Sequence, residues 1–466
     1  MPIRKPLLTA IAGLMLEMPF AVALFSQQAA GVPGETPDPQ ISAALQEVSA
    51  ARIQQTIEKL VSFGTRQTLS SDMQASSGKG ASAAAAWIQS EFERYSKDCG
   101  GCLEVRTDEF TQDPGPRIPK PTKIINVYAV LRGADPANAG RIVLVTGHYD
   151  SRNSETNDAT NPAPGANDDG SGTAVSLECA RVLSKHRFPA TIIFLAVAGE
   201  EQGLYGSAHF AKMAKAQGWN IEAVLNNDIV GGDRTPGDTM QDPHVVRIFS
   251  EGIPTTADEK QLKTIRALGG ENDGPSRQLA RYIASISKVY LPPSTFQPLV
   301  VFRRDRYLRG GDHFSFNEQG YAAVRFTEFR ENYSHQHQNV RTENGIEYGD
   351  LPKFVDYDYA ANVARLNAAT LASLASAPAP PANVRLLTKE LQNDSTVVWE
   401  PSPGGLATGY EVMWRDTAAV DWQHVTAVGN VTRATLPVSK DNVVFAVRAV
   451  DVKGHRSLAI VPMPER

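Results

Sequence analysis

The sequence predicts an α/β fold, a three-layer sandwich with a mixed, mostly parallel sheet, followed by a small all-β sandwich domain at the C-terminus. Two observations predict the first part. Short apolar runs alternate with helical segments, and these runs are apolar on both faces, as in sheets that helices cover on both sides. A third observation predicts the second part: beyond a proline-rich stretch near residue 380, apolar residues recur with a period of two.

The strands of the α/β part are short runs, several of them rich in β-branched residues. They cover residues 125–131, 142–146, 191–198, 223–226 and 323–326. Apolar residues at helical spacing predict helices at 41–63, 81–95, 172–186, 204–217, 276–287 and 359–375. We therefore place one α/β domain at residues 40–376.

The C-terminal part begins after a change of composition. Residues 377–381 read Ala-Pro-Ala-Pro-Pro, which predicts a stiff linker. Strands separated by Gly, Pro, Asn and Asp turns then predict a β-sandwich over residues 382–466. The spacing of Trp399, Tyr410 and Trp422 resembles that of a fibronectin type III domain. Such a domain is either an adaptor for substrates or surfaces, or a stabilising spacer.

The first residues have the three-part layout of a secretory signal peptide. Arg4 and Lys5 precede an apolar stretch over residues 7–16, and small residues follow as a cleavage site. We therefore expect a signal peptide at 1–23 and a flexible leader at 24–39, and hence a secreted or periplasmic protein. A cut a few residues later and a short N-terminal helix of the mature fold are the alternatives.

Cysteine content and charge exclude several classes of protein. The three cysteines, Cys99, Cys102 and Cys179, are too few for a cysteine-only zinc site. Export leads to an oxidising compartment, so we expect a Cys99–Cys102 disulfide, with two free thiols as the alternative. A net charge of -5 argues against nucleic-acid binding. No apolar run reaches the ~18 residues of a membrane span, and no feature indicates a particular oligomeric state.

Four polar clusters follow the apolar strands, at the place where open α/β sheets bind ligands. They are 147–151, 164–172, 198–203 and 226–228. In the first cluster His148 can bind a metal, and Asp150 can accept the other ring N–H. Each cluster taken alone is also compatible with a turn, a helix cap or a solvated strand end.

Three later histidines, His313, His335 and His337, complete the candidates. Together, histidines and carboxylates from separate strand ends are a ligand set for two zinc-like ions. Each ion would take one histidine, one terminal carboxylate and one shared carboxylate, which leaves a position open for water. From the residues alone, any of the three histidines can supply the second nitrogen.

In order and spacing, these motifs resemble peptidase family M28, the group of bacterial leucyl aminopeptidases, over most of residues 40–376. The matching motifs are His148-Tyr149-Asp150, Asp168-Asp169 in a Gly-rich loop, Glu200-Glu201 and Asp228. The resemblance implies two zinc ions as cofactors and a peptide as substrate.

The resemblance also implies a role for each site residue. Asp168 would bridge the two ions, His148 and Asp228 would complete one site, and Glu201 and His335 the other. Glu200 would be the general base. Asp150 and Asp312 would not bind metal themselves but would help to position the ligands and the base. Family members have an acidic residue four positions after the late histidine, where this chain has Asn339.

We therefore expect an exported di-zinc metallopeptidase, specifically an aminopeptidase. A carboxypeptidase, a dipeptidase or a glutaminyl cyclase-like transferase on the same fold is the alternative, and a non-catalytic binding protein is a third possibility. The sequence contains neither a Gly-x-Ser-x-Gly elbow nor a His-Glu-x-x-His helix. Four arginines, at 303, 304, 306 and 309, either bind a substrate carboxylate or provide surface charge.

Overall fold

The computed structural model describes residues 36–465. The expected signal peptide, residues 1–23, and most of the expected leader lie outside the described residues. Within the described range, no helix combines the length and the hydropathy needed to cross a membrane.

The α/β part of the described chain contains ten helices and ten strands. The helices are α1 (Pro39–Gln46), α2 (Ala50–Val61), α3 (Gly80–Asp98), α4 (Gly170–Leu183), α5 (Glu200–Gly203), α6 (Tyr205–Ala216), α7 (Glu259–Leu268), α8 (Pro275–Tyr290), α9 (His313–Asn317) and α10 (Tyr357–Ser376). The strands are β1 (Leu103–Gln112), β2 (Thr122–Leu131), β3 (Arg141–His148), β4 (Thr191–Val197), β5 (Asn220–Asn227), β6 (Val245–Ser250), β7 (Gln297–Val301), β8 (Ala323–Glu328), β9 (Arg341–Glu343) and β10 (Ile346–Tyr348).

Eight of these strands form one sheet in the order β1-β2-β4-β3-β5-β8-β6-β7. The central strands β4, β3, β5 and β8 run parallel to one another, and β7 runs parallel to β6. The pairs β1–β2, β2–β4 and β6–β8 are antiparallel. The predicted mixed, mostly parallel sheet is therefore confirmed. Because β3, β4 and β5 are parallel neighbours, their carboxyl ends meet at one edge.

Helices cover both faces of the sheet and produce the three predicted layers. Val143 and Val145 of β3 belong to a large core under α4 and α10. Leu144, between them, belongs to a second core with Phe210 of α6 and Phe316 of α9. Alternate residues of one strand thus fill two cores, which is why the run is apolar throughout. Each such burial stabilises the fold by about 1.5–3 kcal/mol.

The helix predicted at 41–63 is two helices. The chain breaks at Ser49, whose hydroxyl accepts the Arg52 N–H at 3.4 Å and caps α2. The backbone N–H of Ser49 donates to Glu178 of α4 at 2.7 Å. A buried partner on another helix thus fixes the break, and it lies too far along the chain for periodicity to indicate it.

The C-terminal part is a β-sandwich, as predicted. Its strands are β11 (Ala382–Leu387), β12 (Ser395–Glu400), β13 (Gly409–Asp416), β14 (His424–Gly429), β15 (Arg433–Leu436), β16 (Val443–Val450) and β17 (Met463–Glu465). They form a sheet in the order β15-β12-β11-β17 and a second in the order β14-β13-β16. Trp399, Tyr410 and Phe445 fill the core between them. The resemblance to a fibronectin type III domain stays a prediction.

The predicted linker is packed against the α/β part. Buried Arg141, at the start of β3, donates to the carbonyl oxygens of Ala377 at 2.7 Å and Pro378 at 3.3 Å. Farther along the chain, Arg415 of β13 forms a buried ion pair with Asp273 at 2.6 Å. The C-terminal part therefore contacts the α/β part through the linker and through the Arg415–Asp273 ion pair.

Candidate metal centre

The candidate site lies at the carboxyl edge of the sheet, where β3, β4 and β5 end. His148 is the last residue of β3, Glu200 and Glu201 begin α5 directly after β4, and Asp228 follows β5. Asp168 reaches the same place from the loop before α4. The structure thus brings together five of the site residues that the sequence predicts.

Asp169 ties three of the loops at this edge together. Its buried carboxylate caps α4 by accepting the Gly172 N–H at 2.9 Å. It also accepts the backbone N–H of His148 at 3.0 Å and that of Ile229 at 3.3 Å. Burial raises the pKa of Asp169 well above its usual range. Asp169, the second aspartate of the Asp-Asp motif, therefore connects three backbone segments at this edge through hydrogen bonds.

Asp168 presents its two carboxylate oxygens to two different histidines. Oδ1 lies 3.3 Å from Nε2 of His148, and Oδ2 lies 2.9 Å from Nε2 of His337. Oδ2 also accepts the side-chain amide of Gln336 at 3.0 Å. Burial opposes the charge of Asp168, but the two histidines hold its pKa well below its usual range. One carboxylate therefore connects two halves of the site.

Two buried residues that sequence reasoning missed hold the Asp168 loop in place. Asp350 accepts the backbone N–H of Asn167 at 2.8 Å and of Asp168 at 2.7 Å. Arg66 is fully buried, and its guanidinium donates to three carbonyl oxygens, those of Tyr149, Pro164 and Gly165. Both lie far along the chain from the loops that they support, so no local motif could have indicated them.

Asp150 contacts both the two glutamates and the ring of His148. Its carboxylate accepts the backbone N–H of Glu200 at 3.4 Å and of Glu201 at 3.3 Å. The ring Nδ1–H of His148 donates to the backbone carbonyl oxygen of Asp150 at 3.1 Å, and Nδ1 also lies 3.5 Å from Oδ1 of the Asp150 carboxylate, where we expected it. Gly199, with φ of 80°, turns the chain from β4 into α5, a conformation that disfavours side chains.

The acidic and histidine side chains form two sets of candidate ligands among the described residues. One set is His148, Glu200 and Asp228, and the other is Asp168, Glu201 and His337. Within each set the ligand atoms lie within 4.8 Å of one another.

His337, not His335, belongs to the second set, which corrects the assignment of the late histidine. Nε2 of His337 lies 2.9 Å from Glu201 Oε1. His335 faces another way, because its Nδ1 is hydrogen-bonded to Asp233 and its ring stacks on Phe354 with centroids 3.7 Å apart. The two side chains do not share a face, because the backbone turns at His337, whose φ is 56°.

Asp312 and His313 lie behind the centre at the start of α9. Both are fully buried, and burial raises the pKa of Asp312 to about 7. Burial lowers the pKa of His313 to about 4, and its Nε2–H donates to the Arg304 carbonyl oxygen at 2.9 Å. His313 is therefore a neutral structural histidine, outside both ligand sets.

Comparison with known proteins assigns this centre to a family. Peptidase family M28 matches residues 126–356. The chain is 46% identical over 433 residues to a probable zinc metalloprotease of Pyrenophora teres f. teres, covering 92% of this chain and 88% of the relative. The chain belongs to peptidase family M28. A probable zinc metalloprotease of Leptosphaeria maculans is 45% identical, with 93% and 99% covered.

Solved structures agree on the fold. The crystal structure of the Legionella pneumophila LapA aminopeptidase superposes with a TM-score of 0.52 at 23% identity, covering 75% of this chain and 78% of that one. The family match and the sequence relatives together identify this M28 chain as a zinc metallopeptidase, whose substrates are peptides.

The buried donor set of this M28 peptidase fits zinc. Nε2 of His148 is buried without a hydrogen-bond partner among the described residues, 3.3 Å from Asp168 Oδ1 and 3.9 Å from Asp228 Oδ1. A buried ring nitrogen without a partner costs free energy that a metal ligand bond would offset. Imidazole nitrogen and carboxylate oxygen are both common zinc ligands. These residues are therefore the ones that would hold zinc.

The centre opens into a cavity of about 340 Å³. Its floor carries four carboxylates, those of Asp168, Glu200, Glu201 and Asp228. Arg325 of β8 is fully buried beside them and donates to Asp228 Oδ1 at 2.8 Å. Although burial opposes it, Asp228 and Asp305 raise the pKa of Arg325. This arginine, which the sequence does not single out, offsets part of the negative charge.

Proposed function

We propose that this M28 peptidase is an exported aminopeptidase that holds two zinc ions. The observation that carries the proposal is the position of Asp168, whose oxygens face two histidines of separate ligand sets. His148 and Asp228 would share one ion with Asp168. His337 and Glu201 would share the other.

The chemistry assigns separate tasks to the residues around the scissile bond. Two bound zinc ions would supply an acidified water and polarise the scissile carbonyl. Glu200 is partly exposed to the cavity and would take a proton from the attacking water and deliver it to the leaving amine. Asp150 fixes the backbone of Glu200 through the 3.4 Å hydrogen bond and so holds the base in place.

The cavity favours the ends of peptide chains over their interior. A volume of about 340 Å³ is near the lower end for ligand pockets. It accommodates a terminal residue and the reacting bond but not an extended chain on both sides. The carboxylates on its floor, Glu200 and Asp228 among them, provide negative charge for a substrate ammonium group.

A panel of small substrates tests the proposal. We expect the purified enzyme to hydrolyse leucine p-nitroanilide and to leave its N-acetylated counterpart intact. Cleavage of N-acetylated dipeptides instead would identify a carboxypeptidase. Cyclisation of an N-terminal glutamine without hydrolysis would identify a glutaminyl cyclase-like transferase.

Export is the second part of the proposal, and a disulfide bond supports it. Cys99 and Cys102 form a disulfide at the end of α3, which suits an oxidising compartment. Expression of the full chain followed by N-terminal sequencing of the protein in the medium or periplasm tests this. We expect the first residue to fall between 24 and 31, and retention of residues 1–23 inside the cell would contradict export.

A further inference from the structure

The cavity above the metal centre is lined by an unusual number of arginines. They are Arg117, Arg152, Arg306, Arg309 and Arg325. A guanidinium is always charged and binds planar carboxylates through paired N–H donors. An arginine that already pairs with a carboxylate of the protein is less available to a substrate. We therefore ask which of the five guanidinium groups have such a partner.

Three of the five are paired with protein carboxylates. Arg325 contacts Asp228 at 2.8 Å, as described above. Arg306 and Arg309 both contact Oε2 of buried Glu331, at 2.7 Å and 2.8 Å. These two arginines belong to the group near residue 306 that the sequence singles out. Glu331 already engages their charge.

The other two, Arg117 and Arg152, have no such partner. Nη1 of Arg117 donates to the backbone carbonyl oxygen of Glu201 at 3.0 Å. Nε of Arg152 donates to the backbone carbonyl oxygen of Asn153 at 3.2 Å. Among residues 36–465, neither guanidinium has a carboxylate oxygen within 4.0 Å. Their positive charge is therefore open to the cavity.

The carboxylates of the cavity floor do not compensate this charge. Asp168 and Glu201 are engaged with histidine at 2.9 Å, and Asp228 is engaged with Arg325. Three of the four carboxylates that line the cavity thus have other partners, and the fourth, that of Glu200, lies within 4.0 Å of neither Arg117 nor Arg152. The bond between Arg117 and the carbonyl of Glu201 also holds this guanidinium next to the reacting centre.

We propose that Arg117 and Arg152 bind a carboxylate of the substrate, which makes the enzyme selective for peptides that carry a negative charge close to the scissile bond. This inference rests on the proposed function only in placing the scissile bond in this cavity. The carboxylate has two possible sources, the free C-terminus of a dipeptide or an acidic side chain after the cleaved bond. Each residue of an extended chain spans at most ~3.6 Å, so both sources lie within one residue of the chemistry.

Three dipeptides with the same N-terminal residue separate these sources. They are Leu-Ala with a free carboxyl group, Leu-Ala amide and Leu-Glu amide. We expect kcat/KM for Leu-Ala to exceed that for Leu-Ala amide by about tenfold or more, chiefly through KM, the effect of one good charge-assisted contact. Recovery with Leu-Glu amide would show that a side-chain carboxylate serves equally well, and no recovery would assign the preference to the C-terminus.

Arginine variants connect the preference to these two residues. In Arg117→Gln and Arg152→Gln the ratio between Leu-Ala and its amide should fall toward one. Arg303→Gln is the matched control, because Arg303 is exposed, stacks on Tyr307 with its guanidinium carbon 3.9 Å from the ring centre, and does not line the cavity. The control should keep the wild-type ratio.

Failure of this inference differs from failure of the proposed function. Equal rates for Leu-Ala, Leu-Ala amide and Leu-Glu amide in the wild-type enzyme would overturn the inference, even if both variants misfold. An unchanged ratio in folded Arg117→Gln and Arg152→Gln would overturn it as well. If only N-acetylated dipeptides are cleaved, the aminopeptidase proposal fails, and the same ratio is then measured on N-acetyl-Leu-Ala and its amide.

Discussion

Asp168 is the residue on which the two halves of the centre meet. Its oxygens lie 3.3 Å from the ring of His148 and 2.9 Å from that of His337. The backbone N–H of Asp168 donates to Asp350 at 2.7 Å, which holds the carboxylate between the two rings. Asp350 therefore positions Asp168, and Asp168 in turn positions the two halves of the centre relative to each other.

The two late histidines give a prediction at the residue scale. His337→Ala should lose about half of the bound zinc and nearly all activity, because it removes the only ring nitrogen of the second ligand set. His335→Ala should keep its zinc but melt at a lower temperature, because it removes a buried hydrogen bond to Asp233 and a stacking contact with Phe354. Elemental analysis of both variants, side by side with thermal melts, checks this. Full zinc occupancy in His337→Ala would contradict the assignment.

Glu200 gives a second prediction at this scale. Glu200→Gln keeps the shape of the side chain but cannot accept a proton, so kcat should fall by about 10²–10⁴-fold. Although Glu200 lies in the first candidate ligand set, the proposal gives that ion to His148, Asp228 and Asp168, so zinc content should stay at the wild-type value. Single-turnover kinetics and elemental analysis measure both. Near-normal kcat, or loss of zinc, would show that Glu200 has another role.

Most of the side chains that the structure brings together at this edge were predictable from the sequence, but the position of the late histidine was not. Residues directly after buried strands, such as His148 and Asp228, were predictable because parallel strands deliver their ends to one edge. The late histidine was not, because it lies in a loop after β8 whose path depends on the turn at His337. In an extended chain His335 and His337 would share a face, and only tertiary contacts separate them.

At the scale of elements, the loop before α4 depends on a carboxylate from another part of the chain. Asp350 lies after β10 and accepts two backbone N–H groups of the loop, from Asn167 and Asp168. Without it these donors would be buried and unpaired. Removing a buried hydrogen-bond partner typically costs about 1–3 kcal/mol.

Asp350→Ala should therefore lower both stability and zinc affinity. We expect a loss of about 1–3 kcal/mol in the free energy of unfolding and a drop of about 10–100-fold in zinc affinity, as for other residues that orient ligands. Asp258→Ala is the control, since it removes the exposed cap of α7 far along the chain. The control should cost about 1 kcal/mol and leave zinc affinity unchanged. Chelator competition and urea unfolding measure the two quantities.

Several of the elements that the sequence did not predict bury little apolar surface, although β6, which was also missed, places Val246 and Ile248 in the core. β1 is an edge strand in which Leu103 is the only fully buried residue. α7 contains no buried residue. The central strands β3 and β4 are buried over their whole length, which makes them visible as apolar runs. Periodicity therefore detects the long apolar central strands more readily than the exposed elements, and it also misses one buried strand, β6.

At the scale of the whole molecule, the C-terminal sandwich is more than an appended module. The predicted linker is buried against Arg141, and Arg415 reaches Asp273 at 2.6 Å. Side chains of this ion pair are 2% and 5% exposed, so the pair is desolvated. Removing one partner of such a pair typically costs about 3–5 kcal/mol.

A chain truncated after Pro381 should consequently be less stable than the full chain but still active on small substrates. The truncation removes Arg415 from Asp273, which keeps Arg281 at 3.6 Å, and it uncovers the linker. All the candidate ligand residues lie between His148 and His337. We expect a lower melting temperature and a similar kcat per zinc-loaded molecule. Asp273→Asn in the full chain is the matched variant and should reproduce part of the destabilisation. An unchanged melting temperature would show that the two parts are energetically independent.

The central claim is that the peptidase uses two zinc ions connected by Asp168. Titration of the metal-free enzyme with zinc, with bound metal and activity followed together, tests it most directly. We expect binding to saturate at about two ions per chain and full activity to require the second ion. Saturation at one ion per chain with full activity would contradict it.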